Sequence, residues 1–108
     1  MDSTTIRSAI DHRKRTNGEW PDGMERCWKE LTDALTQDFE TTKRFLMEEC
    51  DAEEYLLVSE VYDDIVFKTQ SLDYVDLLRE SMRHFPDLAK EYNLEKDLDI
   101  AVKSMLLG

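Results

Sequence analysis

Apolar residues recur three and four positions apart along most of this chain, the spacing of a helix with one buried face. Met24, Cys27, Trp28, Leu31, Ala34 and Leu35 share such a face, predicting a helix from about Asp22, with Asp22 as its cap. A third helix begins near Asp38 and aligns Phe39, Thr42, Phe45, Leu46 and Cys50. In "DAEE", Asp51 is placed to cap the next helix and Glu54 to bond back to it, and that fourth helix is predicted to run to about Thr69. Ser71 caps a fifth, with Leu72, Val75, Leu78, Met82 and Phe85 on its apolar side and Pro86 as its end. A short helical turn through "DLAKEY" leads to a stop at Asn93, and a last helix from Leu94 buries Leu98, Ala101, Val102 and Met105.

Upstream of these, "NG" at Asn17 and Gly18, followed by "EWPDG", separates a short N-terminal helix, Thr4 to Arg15, from the body. No segment alternates with period two long enough to form a strand, so the expected class is all-α. Short connections force successive helices antiparallel, giving a single-domain bundle of about five to six helices. The organisation expected is a basic N-terminal helix or arm over residues 1–18 and an acidic helical bundle over 19–108. The sequence leaves open whether the N-terminal helix packs on the bundle.

Charge sharpens this picture. The 108 residues carry 14 Lys and Arg against 25 Asp and Glu, a net charge of −11. Arg7, Arg13, Lys14 and Arg15 make the first 17 residues net positive, so the remainder is more acidic still. From Phe45 to Leu78 there are ten acids and one base, Lys68. Such a field repels nucleic acid and anionic membranes and speeds encounter with basic proteins. No apolar run approaches the roughly 20 residues that span a bilayer, and the N-terminus lacks the apolar centre of a signal peptide, which places the expected location in the cytoplasm. Cys27 and Cys50 fall on apolar sides and read as buried, reduced thiols.

The fourth helix poses the functional question. Its core sector is Tyr55, Val58, Val61, Tyr62, Ile65 and Val66, yet the other side mixes Glu53, Glu60, Asp63 and Asp64 with Leu56, Leu57 and Phe67. Buried, those acids would each need a partner, because an unpaired buried charge costs several kcal/mol. The pattern therefore predicts an exposed face of acids and large apolar groups that binds a basic protein. Its members are Glu53, Leu56, Glu60, Asp63, Asp64 and Phe67, extended by Asp73, Asp76 and Glu80 on the fifth helix. A plain solvated acidic face is the competing reading.

Catalytic patterns are thin. The E-x-x-D pairs Glu48 to Asp51 and Glu60 to Asp63 resemble the carboxylate pairs of magnesium-dependent all-α nucleotide pyrophosphatases. Those enzymes carry E-x-x-E and then, after a longer stretch, E-x-x-D; here the first pair straddles a helix end and no basic cluster is placed for a triphosphate. His84 follows Glu80 by four, which misses the Glu-x-x-His of di-iron bundles and suits a helix-end role. Trp28 reads as core, and Trp20, beside Pro21, as packed over a helix end. With no phosphate loop, triad or Cys-rich spacing, the chain is expected to be no enzyme and to need no cofactor or metal.

From "MERCWKELTDAL" to "MLLG" the chain resembles in type the small acidic helical immunity proteins of bacterial polymorphic toxin and contact-dependent inhibition systems. The resemblance implies a cytoplasmic inhibitor of one cognate toxin, often a basic nuclease, with the chemistry belonging to the partner. Acidic phage proteins that imitate DNA and block nucleic-acid-binding enzymes form a second class of similar character, and a helical adaptor is a third reading.

Overall fold

Several helix ends have a local cause. Asp51 accepts the Glu54 amide at 2.8 Å while Glu54 accepts the Asp51 amide at 2.9 Å, so the expected capping box is complete. Asp38 takes both the amide and the hydroxyl of Thr41, and Ser71 accepts the Tyr74 amide at 3.4 Å. Pro86 occupies a first-turn position where its missing N–H costs nothing, so it both follows one helix and opens another. Gln70 and Asn93, at φ of 47° and 51°, turn the chain through the left-handed region, where Asn is common and Gln is not.

The computed structural model describes residues 2–16 and 21–105; the expected turn at Asn17 and Gly18 and the position of Trp20 lie outside them. Within those residues the chain forms α1 (Thr4–Arg15), α2 (Pro21–Thr36), α3 (Phe39–Arg44), a π-helical turn (Phe45–Glu49), α4 (Ala52–Ser59), α5 (Tyr62–Thr69), α6 (Leu72–Met82), α7 (Pro86–Glu91) and α8 (Leu94–Lys103). The described residues contain no strand, so the chain is all-helical. Its radius of gyration, 13.0 Å, is that of one globule of this length. No helix among the described residues is long and apolar enough to cross a membrane.

Several expectations need correction. The predicted fourth helix is two helices. At Glu60 and Val61 the amides bond three residues back, to Leu57 and Val58, and Val61 leaves helical geometry at φ −115°, ψ 20°. The tighter bonds leave neither amide unpaired, so the break is cheap. It also resolves the two-sided apolar pattern, because α4 packs against α1 whereas α5 packs against α2 and α8. Asp22 lies inside the first turn of α2 and does not cap it, since the helix starts at Pro21. Leu72 is 66% exposed, because the buried stripe of α6 centres on Tyr74, Leu77, Leu78 and Ser81. His84 lies in the turn beyond α6 and its side chain makes no hydrogen bond among the described residues.

The predicted core sector of α4 and α5, from Tyr55 to Val66, is sealed from solvent. Ile6, Ala9 and Ile10 of α1 join the same core, so the basic helix is an integral layer packed chiefly on α2. Sealing each large apolar side chain contributes about 1.5–3 kcal/mol. Three core hydroxyls are satisfied together. The Tyr55 oxygen lies 2.5 Å from that of Tyr62 and 2.7 Å from Ser81 Oγ, and donates to the Leu78 carbonyl at 3.2 Å. Burial pushes the Tyr55 hydroxyl up to about 12 and raises Tyr62 as well. Cys27 is buried, and Cys50, half-buried, has its thiol pushed up to about 12 by burial and then by Glu54 and Asp51.

Candidate functional site

The nine residues of the expected acidic face fall into three groups. Glu53, Leu56 and Glu60 belong to α4 and its C-terminal end, where the basic helix α1 lies. Glu60 receives Arg13 through two prongs, Nε to Oε1 at 2.8 Å and Nη2 to Oε2 at 3.0 Å, and Oε1 also accepts Trp28 Nε1–H at 2.9 Å. Lys14 reaches Glu53 at 3.6 Å, a looser contact on an exposed acid. Nearly two turns of α1 earlier, Arg7 donates to Glu54 at 2.8 Å and its guanidinium stands 5.1 Å over the Phe45 ring. Leu56 is half-buried.

Glu60 is thus the acid of this group most firmly engaged inside the molecule. Its side chain is 29% exposed and that of Arg13 16%, so the pair is screened far less than a surface bridge. Three of the four bases of the N-terminal segment, Arg7, Arg13 and Lys14, thus pair with acids of the body, from which they are separate in sequence. Charge pattern alone could have suggested that pairing, but the separation of 47 positions between Arg13 and Glu60 hides which acid is chosen.

The second group sits on α5. Asp63 and Asp64 occupy its first turn, where the helix dipole favours carboxylates, and neither has an ion pair or side-chain hydrogen bond among the described residues. Burial, and then Asp63, raises the Asp64 carboxyl above its ordinary range. Phe67, one turn on from Asp63 and Asp64, is 61% exposed. Lys68, the one base in this acidic stretch, is bound to Asp33 of α2 at 2.7 Å.

The third group, Asp73, Asp76 and Glu80, runs along α6 beside α3, in a groove that also contains Lys43 and Phe39. Asp64 faces a different groove, with Trp28, Lys29 and Lys68, and Asp63 a third, against α8. Asp63, Asp64 and Phe67 are therefore neighbours along α5, but Asp63 and Asp64 face different grooves and the α6 acids line another. The α8 residues Asp97 and Ile100 share the groove with Asp63, and the sequence reading missed them. Their signal was present in Ile100, an apolar residue off the stripe of Leu94, Leu98 and Ala101, and exposed by 56%.

No cluster of three or more His, Cys, Asp or Glu gathers in metal-binding geometry among the described residues. His12 Nδ1 contacts Glu30 at 2.8 Å, an exposed pair between α1 and α2. Comparison with protein-family models, with curated proteins and with solved structures finds no match to the chain.

Proposed function

We propose that the protein is a binding inhibitor that acts on a basic protein partner through an acidic helical face, in the manner of the immunity proteins it resembles. In this reading the helices form one antiparallel bundle in the cytoplasm, the bundle holds the face rigid, and catalysis belongs to the partner. The observation that carries the reading is Phe67, a large apolar side chain 61% exposed beside two acids, Asp63 and Asp64, that make no ion pair among the described residues. Unpaired acids steer a basic surface into contact, and an exposed aromatic ring then gains by burial, with anchors of this kind costing about 2 kcal/mol or more when truncated. Glu53 and Glu60 take a lesser part, because α1 already holds them.

Coexpression in bacteria with the products of the reading frames flanking its gene tests this. One of those products is expected to arrest growth alone, with growth restored by the wild-type chain and not by a folded Asp63→Lys, Asp64→Lys, Phe67→Ala variant. Full restoration by that variant, or the absence of any toxic product, would overturn the proposal.

A further inference from the structure

We infer that α7, with the turns on either side of it, is a flap that lifts as a unit while the rest of the fold stays closed, and that lifting it uncovers Tyr55 and the hydroxyls bonded to Tyr55. From Arg83 to Asn93 no residue is buried, the longest unbroken run of that kind among the described residues. No side chain in the run makes a hydrogen bond or ion pair among the described residues. Phe85, Leu88 and Ala89, each partly buried, are what packs it on the core. Phe85 gives α7 no side-chain cap, and six helical residues are too few to hold a helix by themselves. Sparse apolar burial along an exposed helix marks a segment that opens at a lower free energy than global unfolding.

The opening has fixed limits. Met82 and Leu94, sealed in the core at 2% and 1% exposure, bracket the run. Arg79 of α6 donates to Glu95 at 2.9 Å and to Asp99 at 3.0 Å, so α6 is tied directly to α8 and that tie does not pass through α7. Asn93, at φ 51°, already turns the chain sharply at the far end of the segment. Under the near end, the Phe85 ring stacks on that of Tyr55, with centroids 4.8 Å apart and an interplanar angle of 22°. The Tyr55 hydroxyl in turn bonds Tyr62, Ser81 and the Leu78 carbonyl. Those hydroxyls have their partners within the body, so the cluster survives when Phe85 leaves. The flap is independent of the partner-binding reading, since α7 carries none of the acids of the proposed face.

The test is amide hydrogen exchange of the full chain in rising, sub-denaturing urea. Ala89 and Tyr92, whose amides bond the Phe85 and Leu88 carbonyls, are expected to share one protection factor to within about threefold, at least about a hundredfold below that of Leu31 in the middle of α2, and with a smaller urea dependence. Ile10→Val, which weakens the core far along the chain from α7, is expected to lower protection at Leu31 about fivefold and to leave Ala89 and Tyr92 unchanged, because the core stays closed when the flap lifts. The thiol introduced by Ser81→Cys, followed with N-ethylmaleimide and located by mass spectrometry, is expected to react at least about a hundredfold faster than global unfolding of that variant allows. Equal protection at Ala89, Tyr92 and Leu31, unequal protection between Ala89 and Tyr92, or a parallel fall at all three in Ile10→Val would overturn the flap. A residue-81 thiol that reacts only on global unfolding would overturn the uncovering of Tyr55.

Discussion

Removing Arg13 measures how far Glu60 belongs to the fold. Arg13→Ala deletes two charge-assisted hydrogen bonds, at 2.8 and 3.0 Å, and leaves Glu60 with Trp28 Nε1–H at 2.9 Å. Breaking a fully buried pair costs about 3–5 kcal/mol. Here the abandoned carboxylate is 29% exposed and keeps one donor, which lowers the expected cost to about 1.5–2 kcal/mol. For a domain of this size that is a fall in Tm of about 6–12 °C. Glu60→Ala strands the guanidinium, which at 16% exposure is the less hydrated partner, so it is expected to cost somewhat more, about 2–3 kcal/mol. The assay is a double-mutant cycle by urea denaturation, with thermal melts at low and high salt. Coupling of about 1–2 kcal/mol that persists in salt is expected, because the pair is only partly open to solvent. Coupling below about 0.3 kcal/mol would refute the reasoning and return Glu60 to the pool of free surface acids.

Two further perturbations have signs set by the structure. Tyr55→Phe takes from Tyr62 its one hydroxyl partner among the described residues and should cost about 2–4 kcal/mol, whereas Tyr62→Phe leaves Tyr55 on Ser81 and Leu78 and should cost about 0.5–1.5 kcal/mol. Adding Tyr62→Phe to Tyr55→Phe should restore part of the loss in denaturant unfolding; a simple sum would contradict the network. The carboxyls of Asp64 and Asp38 predict opposite pH dependences. Asp64 is raised in the fold, so its ionised form carries a penalty that is full above the folded pKa and fades as pH falls through it; Asp64→Asn should gain on wild type at pH 7 and lose that gain in acid. Asp38 is lowered by the side-chain and backbone bonds of Thr41, so its stabilisation is present above the unfolded value and lost as pH falls through the folded one; Asp38→Ala should show its deficit at pH 7, closing in acid. Melts between pH 2 and 7 read both, and parallel curves for variants and wild type would refute the assignments.

Helix class, several helix ends and much of the core were legible in the sequence because each depends on residues within a turn or two of one another. The Asp51–Glu54 box, the Ser71 cap and the stop at Asn93 are local hydrogen-bond or backbone chemistry, and the stripe from Tyr55 to Val66 is a consequence of helical period alone. What the tertiary structure decided involves partners distant along the chain. The helix breaks at Val61, between α4, which packs on α1, and α5, which packs on α2 and α8. Spacing predicts Leu72 in the core, but Tyr74 and Ser81, bonded to the Leu35 carbonyl and to Tyr55, place the buried stripe away from it. Of the acids in "EVYDDIV", composition marked three alike. Folding made Glu60 the anchor of Arg13 and Trp28 and left Asp63 and Asp64 without an ion pair among the described residues, because a carboxylate's role follows from which charges the chain brings within reach of it.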